Sequence, residues 1–267
     1  MNILILSNCQ GDAVLKYLEQ KLPANYRKFH IYKWDGNGIT DEILNFLKII
    51  DVLIFTFLSK KFEYYSTDPN TKINIFNYIN KDCIKIGFGS IFQTAFWPVI
   101  PDFSCKGKDD GHNVIIELKK KYSINEILSK FDDNKINFNL QERFNKCEKY
   151  TKNIEEYYIK YPDLNIISVT DFIRKNYKEH KLFITHNHPC SYIIIYIVNK
   201  IIEILNNKKN LNISQFDNIF QYPAGLHVVG GNWLDSKYIK KELCINYKII
   251  ANEKYYKDFI RTIYNHY

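Results

Sequence analysis

The sequence predicts an α/β fold: a parallel sheet between two layers of helices, with a helical insertion and a C-terminal extension. Short, wholly apolar runs alternate along the first 87 residues with segments whose apolar residues recur at helical spacing. This alternation is typical of β-α-β units, whose parallel strands are buried on both faces. The chain has 267 residues, 46% of them hydrophobic, which excludes a disordered or fibrous protein and allows one large core.

The first strand is predicted over residues 2–7, where an unbroken apolar run is bounded by polar residues. A helix follows over residues 12–22, because its apolar residues recur at helical spacing and Pro23 ends the pattern. The same reasoning predicts these further elements: a strand over 29–32, a helix over 41–48, a strand over 52–58, a helix over 71–79 and a strand over 83–87.

The rest of the chain is predicted to complete the core and to add two further parts. Residues 113–161 are strongly charged and mainly helical, which indicates an insertion or lid over the sheet. A strand over 182–185 and a helix over 191–205 return to the core, which is expected to span residues 1–207. Residues 208–267 form a C-terminal extension with a glycine-containing loop and a final helix.

Composition narrows the possible partners. The net charge of +8 favours anionic small molecules, and no nucleic-acid-binding motif accompanies the basic residues. The most apolar stretch, residues 192–205, is too short to span a bilayer. The six cysteines show no CxxC spacing, and the first residues lead directly into a strand. We therefore expect a cytoplasmic protein with free thiols, no membrane span and no nucleic-acid partner.

The first candidate site is the polar run SNCQGD, which follows the first strand. The carboxyl ends of parallel strands form the ligand-binding edge of such a sheet. A cysteine just ahead of a helix N-terminus has its thiolate stabilised by the helix dipole, which makes Cys9 a candidate nucleophile. Asn8, Gln10 and the N–H groups of Gly11 and Asp12 are candidates for an oxyanion site or for cofactor contacts.

A second polar run, HNHPCS, stands in the same position after the strand over 182–185. Pro189 suits the first turn of the following helix. If this strand lies beside the first, Cys9 and a histidine face one crevice, and the imidazole of His188, or of His186, holds the thiol proton. That pair suits acyl transfer. The alternative for Cys9 is a small buried side chain without chemistry.

Zinc is a rival chemistry for the same residues. Cys9, His186 and His188 are possible ligands, with His112 or Asp110 as a fourth. Nothing in the sequence fixes that fourth ligand beside the other three. The prediction is therefore a site without a metal.

Two further places are candidates for binding a cofactor phosphate. The run GFGS ends in Gly89 and Ser90, whose backbone N–H groups suit an oxyanion or phosphate, although a plain tight turn explains it too. Arg174 lies on a helix before the late strand, where a solvated helix face is the alternative.

The runs ILSNCQGDAVLKYL and LFITHNHPCSYIIIYIVNKI resemble the WcbI family of capsular polysaccharide biosynthesis proteins. That family has an Asn-Cys-Gln turn after the first strand and a His-Pro turn before a late helix. The resemblance covers residues 1–207. It implies an α/β fold, coenzyme A binding and an acetyltransferase role, with Asn8, Cys9 and Gln10 in the first turn and His188 with Pro189 in the second.

The architecture is also similar to the SGNH hydrolases, with Cys9 where those enzymes have a serine. Thr185 stands where their late turn has an aspartate, so a full SGNH triad is not expected.

We therefore expect an acyltransferase that takes its acyl group from acetyl-coenzyme A and modifies a sugar hydroxyl or amine of a surface glycan. Cys9 is the nucleophile, His188 the general base, with His186 as second choice, and Gln10 holds the oxyanion. Its partners are the small-molecule acyl donor and the sugar acceptor. The alternatives are a thioesterase or esterase that uses the same site, and a non-catalytic module that binds a nucleotide or glycan.

Overall fold

The structure is a computed structural model, and it describes residues 1–31, 40–99, 110–221, 235–249 and 251–266. The glycine-containing loop predicted in the C-terminal extension falls largely outside these ranges. The chain divides into two compact units. The first comprises residues 1–91, 150–173 and 189–229, and the second comprises residues 92–149, 174–188 and 230–267. The predicted division at residue 207 stays a prediction.

The first unit contains a five-stranded parallel sheet with the strand order β2-β1-β3-β4-β5. Its strands are β1 (Asn2–Ser7), β2 (Asn25–His30), β3 (Val52–Thr56), β4 (Ile84–Phe88) and β5 (Leu164–Ile167). The neighbours β1 and β3 are almost wholly buried, as the apolar runs predict. The predicted α/β fold with a parallel sheet is confirmed.

Helices cover this sheet. The helices of the chain are α1 (Cys9–Leu18), α2 (Asp41–Ile49), α3 (Asp110–Lys119), α4 (Ile124–Asp132), α5 (Leu140–Ile159), α6 (Thr170–Asn176), α7 (Ser191–Lys209), α8 (Lys237–Leu243) and α9 (Glu253–His266). In the first unit α1 packs against α7. On the sheet, Leu53 and Phe55 of β3 form one core with Phe46 of α2 and Tyr158 of α5. Each such buried side chain contributes about 1.5–3 kcal/mol to folding.

The second unit is mainly helical, and α3 and α4 both pack against α9. Phe131, Phe138 and Tyr238 form an aromatic cluster there, and the closest two rings, of Phe138 and Tyr238, have centroids 4.8 Å apart. The helical character predicted for residues 113–161 is confirmed by α3, α4 and α5. Within the described ranges, no helix combines the length and apolar character needed to cross a bilayer.

One predicted element is wrong, and one considered strand pairing does not form. The helix predicted over residues 71–79 is reduced to a single 3-10 turn, Ile75–Asn77, which Asn74 caps through a reciprocal bond with Asn77. The strand predicted over 182–185 does form as β6 (Phe183–Thr185), but it pairs with β7 (His188–Pro189) and not with β1.

Candidate active site

Cys9 is the first residue of α1 and lies directly beyond the carboxyl end of β1. Asn8 caps the helix: its Oδ1 accepts the Gln10 N–H at 2.9 Å, and its carbonyl accepts the Gly11 N–H at 3.0 Å. The helix therefore starts three residues earlier than predicted. The Gly11 N–H thus serves the cap, and the predicted role of Gly11 in an oxyanion site or cofactor contact stays a prediction.

Gly11 allows α1 to lie close to β1. A Cβ added there would stand 2.4 Å from the Ser7 Cβ and 2.9 Å from its Oγ, well inside van der Waals contact. Ser7 is itself buried at 2% exposure, so it has no room to move aside. The glycine thus fixes how the strand turns into the helix, and with it the position of Cys9.

The Cys9 thiol is half-buried, and its environment keeps it protonated. Burial raises its pKa above the ordinary value of 9.0, the carboxylate of Asp12 raises it further, and only the backbone N–H groups of Cys9 and Gln10 lower it. The predicted stabilisation of a thiolate by the helix dipole is therefore outweighed. Asp12 also pairs with Lys28 at 2.9 Å in solvent, where such a pair contributes little. A nucleophilic Cys9 needs a base.

Gln10 holds the start of α1 to the chain beyond β4. Its Nε2 donates to the Ile91 carbonyl at 2.7 Å, and its Oε1 accepts the Ile91 N–H at 3.0 Å. Both bonds are buried, so each is costly to lose. This bidentate pairing commits the amide to Ile91. It makes Gln10 a positioning residue for its neighbour Cys9, and the oxyanion role of Gln10 stays a prediction.

His188 lies half-buried in the second polar run, with its ring oriented by Thr185. The Thr185 hydroxyl donates to the Asn187 Oδ1 at 3.0 Å, so its oxygen accepts from the His188 Nδ1 at 2.7 Å. That arrangement puts the imidazole proton on Nδ1 and leaves the lone pair of Nε2 to accept a proton. Burial lowers the pKa of His188 below its ordinary value of 6.5. The ring is therefore neutral at physiological pH, as a general base must be.

His186 contributes its backbone to the same turn, since its carbonyl accepts the Gln93 N–H at 2.6 Å. Both histidines belong to the second unit, whereas Cys9 belongs to the first. The pairing of Cys9 with His188 or His186 stays a prediction. Across the described parts of the chain, no three His, Cys, Asp or Glu residues form a group that could hold a metal ion.

The candidate phosphate contacts have different surroundings. Gly89 is buried just beyond β4 near Phe57, and Ser90 is exposed, so their role in cofactor binding stays a prediction. Arg174 is bound by Glu148 through two guanidinium nitrogens and by the Asn145 Oδ1 at 2.9 Å. Its hydrogen bond to Glu148 raises the pKa of Arg174. A phosphate would have to compete with this ion pair, and the role of Arg174 in cofactor binding stays a prediction.

Comparison with known proteins decides the family. A family model described as "Polysaccharide biosynthesis enzyme WcbI" matches residues 2–210. The chain belongs to the WcbI family. A solved structure of WcbI shares the fold, with a TM-score of 0.63 and 13% identity over 100% of this chain and 90% of that chain. That WcbI is described as a novel polysaccharide biosynthesis enzyme. The solved form is described as the native protein without a disulfide bond between coenzyme A and a cysteine. No curated protein matches the chain.

The WcbI assignment confirms the family resemblance and the α/β fold that it implied. It places the chain among polysaccharide biosynthesis enzymes. The likeness to SGNH hydrolases has no counterpart in these comparisons and stays a prediction.

Sequence reasoning missed two residues that position the candidate site. Thr185 stood out only as a departure from the SGNH pattern, yet it orients His188. Nothing in the sequence indicated Ile91, because it binds Gln10 through its backbone N–H and carbonyl, which do not depend on residue type. Asn8 was readable as a helix cap, since asparagine is among the preferred residues at that position.

Proposed function

We propose that this protein is an acyltransferase that moves an acyl group from acyl-coenzyme A, acetyl-coenzyme A in the simplest case, to a sugar hydroxyl or amine in polysaccharide biosynthesis. The observation that carries the proposal is Cys9 at the start of α1, at the ligand-binding edge of the sheet. The description of the WcbI structure names coenzyme A together with a cysteine. That description supports coenzyme A as the ligand, and Cys9 is the cysteine that we assign to it.

In the first half-reaction the Cys9 Sγ attacks the thioester carbonyl while His188 Nε2 takes the thiol proton. The carbon–sulfur bond to coenzyme A breaks, and the departing thiolate takes that proton from His188. Free coenzyme A and an acyl-Cys9 thioester result. In the second half-reaction the sugar hydroxyl attacks this thioester, His188 accepts the hydroxyl proton, and the proton returns to the Cys9 sulfur as the acyl-sugar leaves.

The pairing of Cys9 with His188 rests on two polar runs that each precede a helix, with Cys9 at the start of α1 and His188 shortly before α7. The raised pKa of Cys9 and the lowered pKa of His188 suit a thiol that transfers its proton only when a substrate is attacked.

The test is the release of free coenzyme A from acetyl-coenzyme A in the presence of a sugar acceptor. We expect Cys9→Ala and Cys9→Ser to lower this release by at least about 10²-fold, because the acyl-enzyme route is removed. Cys244→Ala, at an exposed free cysteine, is the matched control and should leave the rate unchanged. Unchanged turnover in Cys9→Ala removes Cys9 as the nucleophile. Equal release without any sugar indicates a thioesterase instead.

A further inference from the structure

The first unit contains a cavity of about 570 Å³ at the carboxyl end of β3. We call it the aromatic cavity, because five aromatic side chains line it: Phe57, Phe62, Tyr150, Tyr157 and Tyr158. One part of the cavity wall begins at Phe57, directly after β3, and α5 supplies another part. None of the candidate site residues lines it.

The aromatic cavity opens at the same edge of the sheet as Cys9. Strands β1 and β3 are parallel neighbours, with Leu6 paired to Phe55. Neighbouring strands lie about 4.8 Å apart, so the two chains leave the sheet side by side. Cys9 follows Leu6 by three residues, and the cavity wall begins two residues after Phe55.

The cavity offers flat aromatic surface to a ligand. Phe57 and Tyr158 stack with ring centroids 4.1 Å apart, and Tyr157 packs edge-on against Tyr158. Tyr150, also on α5, is 57% exposed although the side chain is large and aromatic. Exposed tyrosines are typical of recognition surfaces, since the ring gives contact area and the hydroxyl gives a hydrogen bond.

Polar groups stand beside these rings and are available to a ligand. The Asp68 Oδ1 accepts both the Tyr157 hydroxyl at 2.6 Å and the Asn70 N–H at 3.0 Å, whereas its Oδ2 has no partner among the described residues. The Ser59 hydroxyl and the Asn153 amide of the cavity wall likewise have no hydrogen-bond partner within the ranges that the structure describes. Together they supply an acceptor, a hydroxyl and an amide, the groups that bind hydroxyl-rich molecules.

The charge of the lining indicates a neutral ligand. Among the described residues that line it, Lys61 and Asp68 are the charged ones, and their charges cancel. A ligand with several phosphates needs an excess of cations, and this wall has none. Apolar faces with hydroxyls around the rim are the chemistry of a pyranose ring, whose C–H faces pack on aromatic rings.

We propose that the aromatic cavity binds a neutral sugar unit of a polysaccharide. The identification of this sugar as the acceptor rests on the proposed function. The cavity lies at the same edge of the sheet as Cys9, which suits a site that receives both substrates. Tyr150 is the stacking platform, and Asp68 and Asn153 bind the sugar hydroxyls.

Saturation-transfer NMR with methyl glycosides of glucose, galactose, mannose and N-acetylglucosamine tests this binding without any acyl donor. We expect transfer to the ring protons of at least one glycoside with the unmodified protein. Tyr150→Ala should weaken that binding about tenfold, the effect of losing one aromatic stacking contact, whereas Tyr150→Phe should retain it. Ile159→Ala is the matched control, because Ile159 is 55% exposed on the same helix but lies outside the cavity.

No transfer to any of the four glycosides, or equal transfer with Tyr150→Ala, overturns the inference. It is also overturned if Tyr150→Ala weakens coenzyme A binding instead, which would assign the cavity to the cofactor. Cys9→Ala separates the two proposals: glycoside binding that persists in this variant supports the cavity assignment whether or not acyl transfer is observed.

Discussion

The three residues Thr185, Asn187 and His188 form a short hydrogen-bonded chain that decides what the imidazole can do. The Asn187 Oδ1 accepts a hydrogen bond from the Thr185 hydroxyl, and the Thr185 oxygen accepts one from the His188 Nδ1. The Nε2 of His188 therefore keeps its lone pair. In hydrolases of the serine type an aspartate orients the histidine and also stabilises its cation. Thr185 orients the ring but offers no negative charge. It therefore supplies no charge to offset burial, which lowers the pKa of His188.

The pH dependence of acyl transfer follows from this neutral base. His188 accepts a proton only when unprotonated, so activity falls as the pH drops through its pKa, which burial places below 6.5. We expect kcat/KM to hold between pH 7.5 and 6.5 and to decline only below that range. In His188→Ala the Cys9 thiol must ionise alone, so activity should rise about tenfold per pH unit up to its raised pKa. A decline already complete at pH 6.5 would contradict the role of His188.

At the junction of β1 and α1, several residues position the chain around Cys9. Asn8 caps the helix, Gln10 ties it to Ile91, and Gly11 lets it approach the strand. Through these contacts the three neighbours fix the position of Cys9. Three of the residues predicted as binding groups, Asn8, Gln10 and Gly11, thus hold Cys9 in place.

Gly11 gives the sharpest test of this junction. Gly11→Ala should gain about 1 kcal/mol of helix propensity but lose more from the contact with Ser7 at 2.4 Å, for a net destabilisation of about 1–2 kcal/mol. Gly89→Ala is the matched control, because its Cβ would meet only Phe57 at 3.6 Å and Thr151 at 3.7 Å, so its effect should stay within about 0.5 kcal/mol. Urea unfolding measures both. Equal effects of the two substitutions would contradict the close approach.

At the scale of the whole molecule, local sequence patterns predict elements well and their spatial order poorly. Strand β1 was predictable, because its apolar run is bounded by polar residues on both sides. Strand β5 was missed, because it is short, half-buried and carries Asn165. It occupies the sheet position next to β4, and among the described strands β6 pairs with β7 and not with β1, a pairing that the sequence had left open. Strand order depends on contacts between distant residues, which a single sequence does not reveal.

The central claim, that Cys9 and His188 act in one site, is tested most directly by a double-mutant cycle on kcat/KM for acyl transfer. Residues that act as a unit lose nearly all of their effect in the first substitution. We therefore predict that Cys9→Ala with His188→Ala is no slower than the slower single variant. If the two losses multiply, or if either single variant keeps full activity, the thiol and the imidazole do not share a site.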